Sequence, residues 1–170
     1  MIVGIWEYLI NASEKDINDL RDEEGKVPLW LTKPERDLLG FICFSGSERP
    51  RKSFSKWALR QNELEKHKKR IINLLPKIRH WKVMLGSYED IDNEVATWFI
   101  DPPYQNAGKR YICSSKNIDF NRLGNWCRER EGQVIVCEND GADWLDFKPL
   151  CSYRGGKKDS LEVMWEKKLI

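Results

Sequence analysis

Histidine is almost missing from this chain of 170 residues. The two that occur, His67 and His80, sit among basic residues, where a solvated surface position fits them better than catalysis. No Cys-x-x-Cys pair is present. The five cysteines (Cys43, Cys113, Cys127, Cys137 and Cys151) are scattered and have no histidine at ligand spacing, so no zinc site is indicated. Their odd number, with no secretory leader and no long apolar span, points to reduced thiols in a cytosolic compartment. Neither sign of charge dominates: 29 Lys and Arg face 27 Asp and Glu, a net charge of +2, and bulk charge makes no case for a nucleic-acid partner. Internal repeats and low-complexity runs are absent, which argues against a solenoid or a linker.

What is present describes a globular chain, with 41% hydrophobic and 33% charged residues and a length suited to one domain or to a domain carrying an insertion. Eight tryptophans supply large amphipathic surfaces for a core or an interface. Basic residues gather in three places: Arg49, Arg51 and Lys52; Lys66 to Arg70; and Gly155-Gly156-Lys157-Lys158. Each cluster is either a solvated face or a phosphate-contacting patch, and Arg49, Arg51 and Lys52 are the candidates for phosphate contacts.

Residues 1–80 read as a helical, basic segment. Ile2 to Ile10 is apolar from the start, and Ser13 with Asp16 three places on has the pattern of a helix cap. Pro34 opens a helix over Glu35 to Phe44, and Ser53 to Leu75 reads as one or two helices stopped by Pro76. Residues 81–170 change character to short apolar runs between turn residues, the pattern of an α/β fold. Strands are expected at Lys82 to Leu85, Ala96 to Ile100, Gln133 to Cys137 and Leu161 to Trp165. A helix is expected through Phe120, Leu123 and Cys127, capped by Asn117 or Asp119. The two segments are expected to form one compact unit.

Asp101-Pro102-Pro103-Tyr104 follows the run Trp98-Phe99-Ile100, at the carboxyl end of a strand, where open α/β sheets bind their ligands. Two prolines stiffen the loop that would aim a carboxylate, a carbonyl and an aromatic ring at one flat object. The exocyclic amine of adenine is a poor nucleophile because its lone pair is delocalised into the ring. The Asp101 carboxylate and Pro102 carbonyl, accepting its two N–H bonds, would favour a pyramidal nitrogen. Tyr104 would stack on a base that has left the duplex, Pro103 would be a further substrate-binding residue, and Gln105, Lys109 and Arg110 follow where contacts to the flipped nucleotide's backbone would be useful. An ordinary strand-to-loop turn is the alternative.

This motif resembles the amino-group DNA methyltransferases, and most closely the short adenine methylases of phages and prophages. The similarity extends to Arg79-His80-Trp81-Lys82-Val83, Trp98 to Gly108, Tyr111, Gly132 to Asn139, Gly141 to Leu145 and Glu162 to Trp165, in the family's order. The resemblance implies part of a class I (Rossmann-like) methyltransferase sheet, S-adenosylmethionine as cofactor, adenine in DNA as substrate, and the cytoplasm of a bacterial host. It also implies that the helical segment lies where relatives carry target recognition.

Two departures matter. Relatives begin with a strand and a Phe-x-Gly-x-Gly loop for the cofactor, followed by a second strand ending in an acid for the ribose; neither is found here, and Gly4 is the only glycine before position 25. At Gly86-Ser87-Tyr88, Ser87 stands where relatives tend to have an acid, leaving Tyr88 as the candidate for contacting the cofactor's adenine. Without those strands a sheet would have open edges, so a second chain or a homo-oligomer is expected to complete it. Three readings follow: one part of a split methyltransferase, a catalytically silent DNA-binding or decoy protein, or a self-associating remnant.

Overall fold

The cap read at Ser13 forms: the Asp16 N–H donates to Ser13 Oγ at 3.2 Å, and the Ser13 N–H donates to Asp16 Oδ2 at 2.7 Å. In the computed structural model, which describes residues 1–43, 49–111, 113–154 and 159–169, the chain divides into two units, 1–86 and 87–170. The basic tract at 155–158 lies outside the described residues.

The first unit is helical, with α1 (Ile2–Asn11), α2 (Glu14–Asp19), α3 (Lys33–Ile42), α4 (Lys56–Arg60) and α5 (Glu63–Ile78). One core joins them, with Ile17, Leu20, Leu39 and Leu75 almost fully buried. Pro76 does not stop α5. The bond it forfeits is a single one in the last turn, and burial of Leu75 and Ile78 on either side holds that turn in place. The strand expected at Lys82 to Leu85 does not form. This unit contains only isolated bridges among its described residues, so the segment has no ladder to join, and Met84 and Leu85 stay exposed. No helix among the described residues is long and apolar enough to cross a membrane.

The second unit is α/β: a four-stranded mixed sheet with an interleaved helix. Strands β1 (Ala96–Ile100), β2 (Gly132–Asn139), β3 (Lys148–Arg154) and β4 (Asp159–Lys167) lie in the order β1-β2-β4-β3. β1 runs parallel to β2, in the register Trp98 to Val134, and the other pairings are antiparallel. Helix α6 (Phe120–Glu129), capped by Asp119 through the Arg122 N–H, sets Leu123 and Cys127 against Val134 and Val136 of β2. Alternation along the strands then assigns the faces. Trp98 and Ile100 join the α6 side, while Phe99 on the other face of β1 is 66% exposed. At the foot of α6, the buried Arg130 guanidinium lies 4.3 Å from the Trp126 ring centroid and 5.5 Å from that of Trp98, a cation–π stack that closes this side of the core. β3 has no counterpart among the strands expected from the sequence; it is an edge strand with an irregularity between Pro149 and Cys151, where proline is tolerated.

Candidate functional site

β1 delivers Asp101 to the carboxyl end of the parallel pair, and the chain then folds back on itself. The Gly108 N–H donates to the Tyr104 carbonyl at 2.6 Å, pressing residues 104–108 against the two prolines. A Cβ on Gly108 would lie 2.5 Å from the Pro103 carbonyl carbon, so only glycine fits this approach. Gly108→Ala is expected to displace the loop and lower any activity of the site at least tenfold. The melting transition should barely move, because no core residue is touched; a melt run beside the activity assay separates the two effects.

The loop lines a cavity of about 540 Å³ with Asp101, Pro102, Pro103, Tyr104, Ala107, Gly108, Tyr111 and Glu162. Glu162 comes from β4. The Tyr104 hydroxyl donates to its Oε2 at 2.9 Å, which holds the tyrosine by its far end. Two carboxylates, Asp101 and Glu162, therefore face one concavity. Partial desolvation is the main cause of a raised Asp101 pKa; the Tyr104 hydroxyl offsets part of that rise, and the charge on Glu162 adds to it. Burial first, then the hydrogen bond to Glu162, pushes Tyr104 well above the usual tyrosine range. It stays a neutral donor.

Behind the cavity the loop is bolted to the end of β2. Glu138 is fully buried and accepts three hydrogen bonds: from the Gln105 N–H at 2.7 Å, the Asn139 N–H at 2.8 Å and the Trp144 indole at 3.3 Å. Burial raises its pKa, and the three donors oppose the rise. Asn106 Nδ2 donates to the Gly141 carbonyl at 3.1 Å, and Ser115 Oγ donates to the Gln105 carbonyl at 3.3 Å.

The four motif residues thus converge on one cavity, and the side chains of Tyr88, Gln105 and Lys109 in the same unit are not among its lining. Gln105 Nε2 donates to Asp143 Oδ1 at 3.0 Å, and Gln105 Oε1 accepts from the Asp143 N–H at 3.2 Å, so both polar ends of its side chain secure the loop. Lys109 is exposed outside the lining, its carbonyl accepting from Ser114 Oγ at 3.2 Å, and Arg110 ends the turn Gly108–Arg110. Tyr88 packs edge-on against Trp126 at 5.1 Å within the α6 core, away from the lining residues. Arg49, Arg51 and Lys52 belong to the first unit, on an exposed stretch outside helix and strand where the Arg51 N–H donates to the Gly40 carbonyl at 2.9 Å.

Sequence reasoning missed Glu138 and Glu162 as site residues. Glu138 did leave a signal, an acid ending a buried apolar strand, since such a carboxylate needs donors. Glu162 left only its place in the alternation of β4. Among the described residues no group of three or more acidic, His or Cys side chains could hold a metal ion.

Comparison with known proteins returned no matching family model, no matching curated protein and no matching solved structure.

Proposed function

We propose that this chain is the base-binding, catalytic part of an S-adenosylmethionine-dependent methyltransferase acting on the exocyclic amino group of adenine in DNA. The observation that carries the reading is the convergence of Asp101, Pro102, Pro103 and Tyr104 on one cavity at the carboxyl end of a parallel strand. Its volume of about 540 Å³ admits a nucleobase. Asp101 and the Pro102 carbonyl accept the two amine N–H bonds, Tyr104 stacks on the ring with its hydroxyl held by Glu162, and Asp101 receives the proton that the amine sheds.

The described residues do not fit the cofactor. Tyr88 is spent in the α6 core, and β1 is an edge strand with no neighbour beyond it among the described residues. On this reading the methyl donor is held by elements that the described residues of this unit do not supply, added beside β1 by a second chain or a second copy. The order of the sheet, a parallel pair followed by antiparallel strands, suits one half of a class I methyltransferase sheet.

The pocket can be tested without the donor. A duplex carrying 2-aminopurine in place of adenine should brighten when the chain extrudes the base. Tyr104→Ala should abolish the signal while the duplex stays bound, and binding with no fluorescence change would defeat the reading. The same misfit favours a second reading, a DNA-binding protein that has lost catalysis. Calorimetry with S-adenosylmethionine on the chain purified with its natural companions discriminates, since clear binding excludes the silent protein.

A further inference from the structure

We infer that the exposed face of α5 is a docking surface for duplex DNA. The inference borrows from the proposed function only the choice of DNA as the polyanion. Charge is segregated along the first unit: residues 49–86 hold twelve lysines and arginines against two glutamates, whereas residues 1–48 hold five against ten acids.

The fold gathers part of that excess onto one stripe. Lys66, Lys69, Arg70, Asn73 and Lys77 fall within about 100° of arc along about 16 Å of helix. All five are exposed, opposite the buried Leu64, Lys68, Leu75 and Ile78. Lys66 is paired with Glu63 at 2.9 Å, while Lys69, Arg70 and Lys77 have no acidic partner within 4 Å among the described residues. Helix α5 has ion pairs one turn apart, Glu63 with Lys66 and Glu65 with Lys68, as the earlier helices have in Lys15 with Asp19 and Lys33 with Asp37. Its exposed stripe also sets Lys66 beside both Lys69 and Arg70, like charges one turn apart that oppose the helix and that an anion would relieve.

Two neighbouring basic side chains have structural tasks: Lys68 is buried between Glu65 and the Asn18 carbonyl, and Arg79 donates to the Ile10 and Ala12 carbonyls. Among the described residues, Lys69, Arg70 and Lys77 have none of this kind and remain as a cationic surface. No apolar residue interrupts it, which argues against a lipid surface, where an inserted apolar face would be required. A helix bearing cations along both margins, with one amide at its centre, suits the major groove. Phosphates would meet Lys69, Arg70 and Lys77, and Asn73 would face the base edges.

The test is fluorescence anisotropy of the full chain with an unmodified duplex across a salt series, with no cofactor added. The triple variant K69Q/R70Q/K77Q should bind at least tenfold more weakly at about 0.1 M salt, and its log–log salt slope should be shallower by about 2.7, the value for three lost phosphate contacts. The control K15Q/K33Q should match wild type, and circular dichroism should show α5 intact in both. An unchanged slope in the folded triple variant would overturn the inference, as would loss of binding to anionic lipid vesicles without loss of binding to duplex. A chain that docks through α5 yet never brightens 2-aminopurine would leave this surface standing and refute the base pocket alone.

Discussion

Replacing Asp101 by Asn should lower methyl transfer by about 10³-fold or more, measured as label moved from S-adenosylmethionine to duplex DNA by the chain with whatever copurifies with it. The substitution keeps the shape of the cavity while removing the charged acceptor, so the 2-aminopurine signal should survive within a few-fold. The pH profile supplies a second signature. Asp101 works as a carboxylate, and burial raises its pKa, so the rate should be lost as the pH falls through a midpoint above the ordinary carboxylate range. Glu162→Gln removes the neighbouring negative charge, while its amide oxygen can still accept the Tyr104 hydroxyl. Losing that charge favours the ionised Asp101, so the acid limb should move to lower pH.

Glu138→Ala should strongly destabilise the second unit. It strands two backbone N–H groups and an indole N–H in a site that is now fully buried, a loss of about 3–5 kcal/mol. For a domain of about this size that lowers the melting transition by more than about 12 °C. Glu138→Gln should lose less, because one carbonyl oxygen can still accept. Its effect on pH dependence has a definite sign. A carboxyl whose folded pKa is raised lends stability below its unfolded pKa and withdraws it as the pH rises through the folded value, so Glu138→Gln should flatten that part of the stability profile. Both variants should also impair the cavity, because Gln105 anchors the loop directly behind Tyr104.

The parts of the fold legible beforehand are those written locally. Ser13 with Asp16 names its own cap, and Ala96 to Ile100 shows its strand through a short apolar run closed by Asp-Pro-Pro. The errors are non-local. Lys82 to Leu85 has the composition of a strand, but a strand exists only where a neighbour offers its hydrogen bonds. Lys148 to Arg154 lacks a strand's pattern and is one because β4 pairs with it. Pro76 reads as a stop only until the burial of Leu75 and Ile78 is known. The site divides in the same way. Its motif is contiguous and visible, whereas Glu162 reaches Tyr104 from 58 positions away, a distance that only the sheet order closes.

The most direct measurement is made where any partner is present. In cells that naturally produce this chain, Asp101 is changed to Ala at its own locus and N6-methyladenine is mapped across the DNA at single-base resolution. The account predicts that methylation disappears from one sequence context and persists elsewhere. A methylation map identical to that of the parent cells would contradict it.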